Sequence, residues 1–108
     1  MQVTERDFGI KAAKQVAAGA VVFRVRNRGP GSHELLVVRA STGRLPFRSD
    51  GLTVDEEAVT KAEVGVLEPG HAGVVRELRV RLTPGRYVLF CNMSGHFLGG
   101  MHTELVVR

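Results

Sequence analysis

The sequence predicts an all-β protein, a Greek-key antiparallel sandwich or barrel with one short helix. Three observations carry this. Six or seven short segments alternate apolar with polar residues or run briefly apolar, turn signals separate them, and one helix-capping pattern stands mid-chain.

Val3 to Ile10 alternates loosely and reads as a first strand. Lys11 to Ala18 has helical propensity, but eight residues are too few to hold a helix without packing, so it reads as a connection ending at Gly19. From Ala20 to Arg28 the pattern is clearer. Val21, Phe23 and Val25 face one way and Arg24, Arg26 and Arg28 the other, the period of a half-buried strand. Asn27 to Ser32 is rich in turn formers. His33 and Glu34 then lead into Leu35-Leu36-Val37-Val38, a run suited to a strand buried on both faces.

Ala40 to Gly51 is irregular. Thr53-Val54-Asp55-Glu56 spells a capping box and predicts a short helix from Val54 to Ala62, with Glu57 and Lys61 paired along it and Gly65 ending it. Glu68-Pro69-Gly70 reads as a turn. Val74 to Leu82 alternates again, with Leu78, Val80 and Leu82 inward. Thr83-Pro84-Gly85 turns the chain into a strand from Tyr87 to Cys91, and Thr103 to Val107 closes the fold.

The 108 residues, 1–108, read as a single domain without linker or internal repeat. A hydrophobic share of 44% and a mean hydropathy of +0.01 suit a soluble globular protein. No run approaches the roughly 18 apolar residues of a membrane helix. Met1 to Asp7 has no apolar signal core, so the expectation is that any export signal has already been removed. Lys and Arg number 15 against 11 Asp and Glu, with a pI near 10.0. These cations are scattered and mostly alternate along strands, which reads as a solvated face. Five Phe and one Tyr are too few for a base-stacking platform, so nucleic acid is excluded while acidic partners or surfaces suit the charge. One cysteine excludes an internal disulfide.

That cysteine opens the most informative stretch, Cys91-Asn92-Met93-Ser94-Gly95-His96-Phe97-Leu98-Gly99-Gly100-Met101. Thiolate and imidazole are strong copper ligands and a thioether is a soft, weaker one. Gly95, Gly99 and Gly100 let the loop turn Cys91, His96 and Met101 toward one point. A mononuclear electron-transfer site needs one more histidine. His33 opens a buried strand after a loop and Cys91 closes another before a loop, so in antiparallel neighbours both ends fall at one pole.

These residues resemble the cupredoxin family. Ala18 to Asn27 with Gly29 and His33-Glu34 is similar to the family's strand leading to its first histidine ligand. Leu82 to Asn92 resembles the strand leading to the cysteine, and Gly95-His96 with Gly99-Gly100-Met101 the remainder. Four residues separate Cys91 from His96, and four separate His96 from Met101, a spacing similar to the rusticyanin, auracyanin and sulfocyanin type of loop. His102 and the segment from Ala40 to Gly65 match nothing in the family pattern.

The resemblance implies one type 1 copper ion held by His33, Cys91, His96 and Met101. It also implies a periplasmic or otherwise extracytoplasmic carrier of single electrons, not an enzyme. Its partners would be redox proteins, acidic ones included, with no small-molecule substrate, and it would act as a monomer. Glu34 reads either as an exposed side chain or as a group bonded near Asn92, which would tie the two ligand segments together. Phe97 and Leu98 form an uncharged loop tip beside His96, expected to dock the partner or else to fold over the metal as a lid. His71 lies in a turn and His102 is expected on the surface. The alternative function is a copper delivery or storage module. A Cys91–His96 nucleophilic pair lacks a third group to orient the histidine. A copper oxidase would need a second centre, for which two spare histidines are too few.

Overall fold

A computed structural model describes all 108 residues, Met1 to Arg108, as nine strands in two sheets. One sheet holds β1 (Gln2–Arg6), β2 (Gly9–Ala12), β4 (Gly19–Asn27) and β7 (Val75–Leu82) in the order β2-β1-β4-β7. The other holds β3 (Gln15–Val16), β5 (His33–Arg39), β6 (Glu63–Gly70), β8 (Gly85–Phe90) and β9 (His102–Val107) in the order β3-β9-β8-β5-β6.

Between the sheets lies the main core. Val3, Val21, Phe23 and Val25 of the first sheet meet Leu35, Val37, Tyr87, Leu89 and Leu105 of the second, all at the inward phase of their strands. The apolar run Leu35 to Val38 is buried on both faces, as its composition requires. Leu36 and Val38 point away from the main core and join Val88 and Phe90 in a second cluster, roofed by Ala40, Val54 and Val59. At the opposite end of β8 from Cys91, the Tyr87 hydroxyl donates to Thr83 O (2.8 Å) and pins the entry into β8.

Several expectations change. The sheets are mixed and not purely antiparallel, because β1 runs parallel to β4 and β3 parallel to β9. The first strand is two: the chain reverses at Asp7 and Phe8, and β1 and β2 form a hairpin. The connection after it contains the end of β2 and the two-residue β3.

The predicted helix from Val54 to Ala62 is absent, and only a 3₁₀ turn, Thr60–Ala62, stands there. Its capping residues are otherwise engaged. Thr53 Oγ1 accepts from Arg48 Nη1 (3.0 Å), and Glu56 Oε2 accepts from Asn92 Nδ2 (2.7 Å). Gly65 and Glu68 to Gly70 therefore belong to β6, which pairs antiparallel with β5 along the sheet edge.

The topology decides where functional side chains can meet. β5 and β8 are antiparallel neighbours, with Leu36 opposite Phe90, so the start of β5 and the end of β8 share a pole. Parallel pairing of β1 with β4 brings the β1–β2 turn to that same pole, because Glu5 is level with Asn27.

Candidate metal centre

His33, Cys91 and Met101 are fully buried at this pole, and His96 is half-buried. The loop closes on itself through its backbone. Cys91 N donates to Met101 O (3.1 Å) and Met101 N donates to His96 O (3.0 Å), which binds the three residues into one unit. Gly95 N–Leu52 O (3.2 Å) ties the loop to the segment beside it. Gly100 is required where it stands. Its φ is +114°, and a Cβ there would come within 2.8 Å of the Phe8 carbonyl oxygen.

Cys91 Sγ lies 3.5 Å from His96 Nδ1. The His33 ring stands edge-on to the His96 ring, with centroids 5.3 Å apart. His33 Nδ1 pairs with Asn27 Oδ1 (2.8 Å), and the same oxygen accepts from Gly29 N (2.8 Å). Asp7 Oδ1 is 2.9 Å from His33 Nε2 but outside hydrogen-bonding geometry, so Nε2 remains a buried nitrogen without a hydrogen-bond partner. Cys91 and His96 are thus in contact and His33 is one ring away. No three of the chain's His, Cys, Asp and Glu side chains close on a common point in this structure.

Burial dominates the protonation states. It pushes the Cys91 thiol up to about 11, against the pull of the backbone N–H groups of Met93 and Glu34. Burial also pushes His33 down, only partly offset by Asp7, so its imidazole is neutral at neutral pH. A neutral imidazole is the form that binds a metal.

Glu34 and Asn92 connect the start of β5 and the end of β8 to each other and to the roof. Glu34 Oε1 accepts from Asn92 N (3.0 Å). It sits where the β5–β6 register slips between His33 and Leu35, and such a bulge re-aims a side chain. The Asn92 amide pairs with Val54 as a strand would, accepting from its N (2.7 Å) and donating to its O (3.0 Å). Burial raises the Glu34 carboxyl, and the Glu56 charge adds to this.

Of the loop-tip pair, only Leu98 stands out, at 59% exposure. Phe97 instead turns sideways. It stacks on His102 at 4.4 Å and meets Phe90 and Phe47 edge-on at 5.5 and 5.3 Å, adding to the second cluster. His102 is exposed, as expected, but it holds Phe97 in place. Two further residues belong to the site: Asp7, beside His33, and Phe8, whose ring meets His96 edge-on at 5.5 Å while remaining 54% exposed. No spacing marks them in the sequence, because the loose alternation from Val3 to Ile10 conceals the turn.

No protein-family model matches this sequence and no curated protein matches it, so the likeness that follows is one of structure. The reduced auracyanin of Roseiflexus castenholzii superposes with a TM-score of 0.73 at 15% identity, over 99% of this chain and 94% of that one. An azurin from Methylomonas sp. strain J gives 0.69 at 14%, over 100% and 96%. Auracyanin A, a blue copper protein from Chloroflexus aurantiacus, gives 0.67 at 16%, over the full length of both chains. The chain has the cupredoxin fold. Within this cupredoxin frame, the pole carrying Cys91, His96 and His33 is where β5 begins and β8 ends.

Proposed function

We propose that the protein is a small type 1 copper protein that carries single electrons between redox partners outside the cytoplasm. The observation that carries this is the contact of Cys91 Sγ with His96 Nδ1 at 3.5 Å, with His33 and Met101 fully buried at the same pole of a cupredoxin fold. The residues present fit copper. The donors are one thiol, two imidazoles and one thioether, the set that suits an electron-transfer copper site.

Bound there, copper would supply a one-electron Cu(II)/Cu(I) couple. The chain's own residues do the rest. Cys91 must give up its proton to bind, and burial makes that thiol reluctant, so metal uptake releases a proton at neutral pH. His33 is already neutral, and Asn27 holds its ring. Glu34 and Asn92 keep the cysteine end of β8 in register with the histidine end of β5. Buried Cys91, His33 and Met101 keep water from the donors, and His96 alone reaches the surface, so the exit for an electron is the His96 edge.

The test is a titration of the metal-free protein with Cu(II). An intense visible thiolate-to-copper band is expected, absent in Cys91→Ser and His96→Ala and lost in His33→Ala, whereas Met101→Leu should keep copper and the band. An unchanged spectrum in His33→Ala would remove His33 from the ligand set. The second reading, copper delivery or storage, draws on the partial exposure of His96, which offers an incoming acceptor one ligand. Rapid loss of copper to a chelator, with no reversible voltammetric couple, would favour it.

A further inference from the structure

The cations that look scattered along the chain are gathered by strand register. In the four-stranded sheet, residues paired across strands point to the same face. On β1 and β2 the outward positions are Thr4, opposite Lys11, and Arg6, opposite Gly9. On β4 they are Arg24 and Arg26, level with Gln2 and Thr4, with Arg28 continuing the row as its N–H donates to Glu5 O (2.7 Å). Arg6 and Arg28 border one shallow cleft. On β7, Arg79 and Arg81 lie opposite Val22 and Ala20, and Glu77 lies opposite Arg24.

The outward positions of this face therefore carry seven cations against a single acid, Glu77, with Asp7 at its end lining the Arg6–Arg28 cleft. The whole chain has 15 against 11, which leaves eight cations and ten acids for the rest of the molecule. The molecule is polarised, basic on the bare face of one sheet and net acidic elsewhere. Only Arg79 has a carboxylate partner there, Glu77 at 3.4 Å, and that pair is exposed. The roof that covers the outer side of the second sheet has no counterpart on this one.

We propose that this basic sheet face binds the anionic surface of a lipid membrane, with the phosphates of anionic lipids as the recognised groups. Charge complementarity is the first argument, because cations near an anionic bilayer each add to the attraction. The identity of the cations is the second. Six of the seven are arginine, whose planar guanidinium grips phosphate oxygens in a fork. The third is shape. The face is a broad, twisted plane with no aromatic side chain, so it lacks the buried aromatic anchors that, with arginine, hold many protein partners. The strands run from pole to pole, so a molecule lying on this face keeps the Cys91–His96 pole at its side. Nothing in this proposal depends on bound copper.

The test is cosedimentation of the metal-free protein with large vesicles, of phosphatidylcholine alone or mixed with phosphatidylglycerol. Binding is expected only to the mixed vesicles, with release in high salt. Arg24→Glu with Arg79→Glu should weaken it at least about tenfold. Arg44→Glu with Arg86→Glu makes the same change in net charge on the other side of the molecule and should retain binding. Arg26→Gln with Arg81→Gln, gentler on the fold, should fall between the two, and thermal melts confirm that each variant is folded. No binding to the mixed vesicles overturns the proposal, as does equal loss in the Arg44 and Arg86 pair, which would leave net charge alone as the cause. Retention on immobilised polyglutamate without vesicle binding also overturns it and transfers the face to an acidic protein.

Discussion

Glu5 points inward from β1 with no solvent exposure, and neither of its carboxylate oxygens finds a hydrogen-bond partner. Burial pushes its carboxyl up to about 8, with Arg76 pulling it down and Glu34 pushing it further up. Below an ordinary carboxyl value near 4.5 the folded and unfolded chains both hold the proton, and Glu5 is neutral in both. Between there and about 8 the folded chain keeps a proton that the unfolded chain has lost, so stability falls as pH rises, by at most ~1.4 kcal/mol per pH unit. Glu5→Gln removes the charge and keeps the shape. Urea midpoints of the metal-free protein should show the variant gaining on the parent from pH 5 to pH 8.5, a range that stays below the titration of Cys91. Parallel midpoints across that range would mean that Glu5 is ionised without cost. At this scale the sequence was legible where chemistry is rare: one cysteine, four histidines and their spacing single out the loop. Asp7, Phe8 and Glu5 are common residues whose roles come from a turn and a burial that no local pattern encodes.

Among the elements, the segment from Ala40 to Ala62 shows how a local signal can be spent on a distant partner. A capping box stabilises a helix only if its side chains are free to reach back to the backbone, and here Thr53 serves Arg48 and Glu56 serves Asn92. The segment instead extends over Leu36, Val38, Val88 and Phe90, burying Val54 and Val59. The strands with strict alternation, β4 and β7, were legible because one face is apolar along their length. β6 was not, since Glu63, Gly65, Glu68, Pro69 and Gly70 are poor strand formers and pairing with β5 supplies what propensity lacks. Asn92 is the joint between the roof and the Cys91–Met101 loop. Asn92→Ala leaves the buried Val54 N and O without partners, at a cost of about 2–3 kcal/mol. A urea midpoint lowered by that amount, together with faster copper release, is expected. A loss of stability with unchanged release would confine Asn92 to the roof.

Across the whole molecule two surfaces stand apart and differ in chemistry. The basic face lies along the side of one sheet, whereas the apolar rim lies at the pole, where Phe8, Leu98 and Leu52 are 54%, 59% and 43% exposed around the half-buried His96. Local alternation shows each strand's arginines, but only register across β1, β4 and β7 shows that they share a face. The rim is likewise assembled from three separate stretches of chain, and the placement of Phe97 inside the second cluster leaves Phe8 as its aromatic member. On the proposed function, an electron leaving through His96 would need a partner within contact of this rim, and charge on a distant sheet face could steer approach without making that contact. Leu98→Lys places one charge in the rim and disturbs no buried contact, so the visible copper band should persist while transfer to a redox partner slows. Glu77→Lys, on the basic face opposite Arg24, alters the charge by more yet should slow transfer less at the same salt. Raising the salt should then narrow the effect of Glu77→Lys and leave most of the effect of Leu98→Lys, because a lost apolar contact is not screened. Equal slowing by both variants, vanishing together in salt, would mean that long-range charge governs the encounter and that the rim is not the docking site.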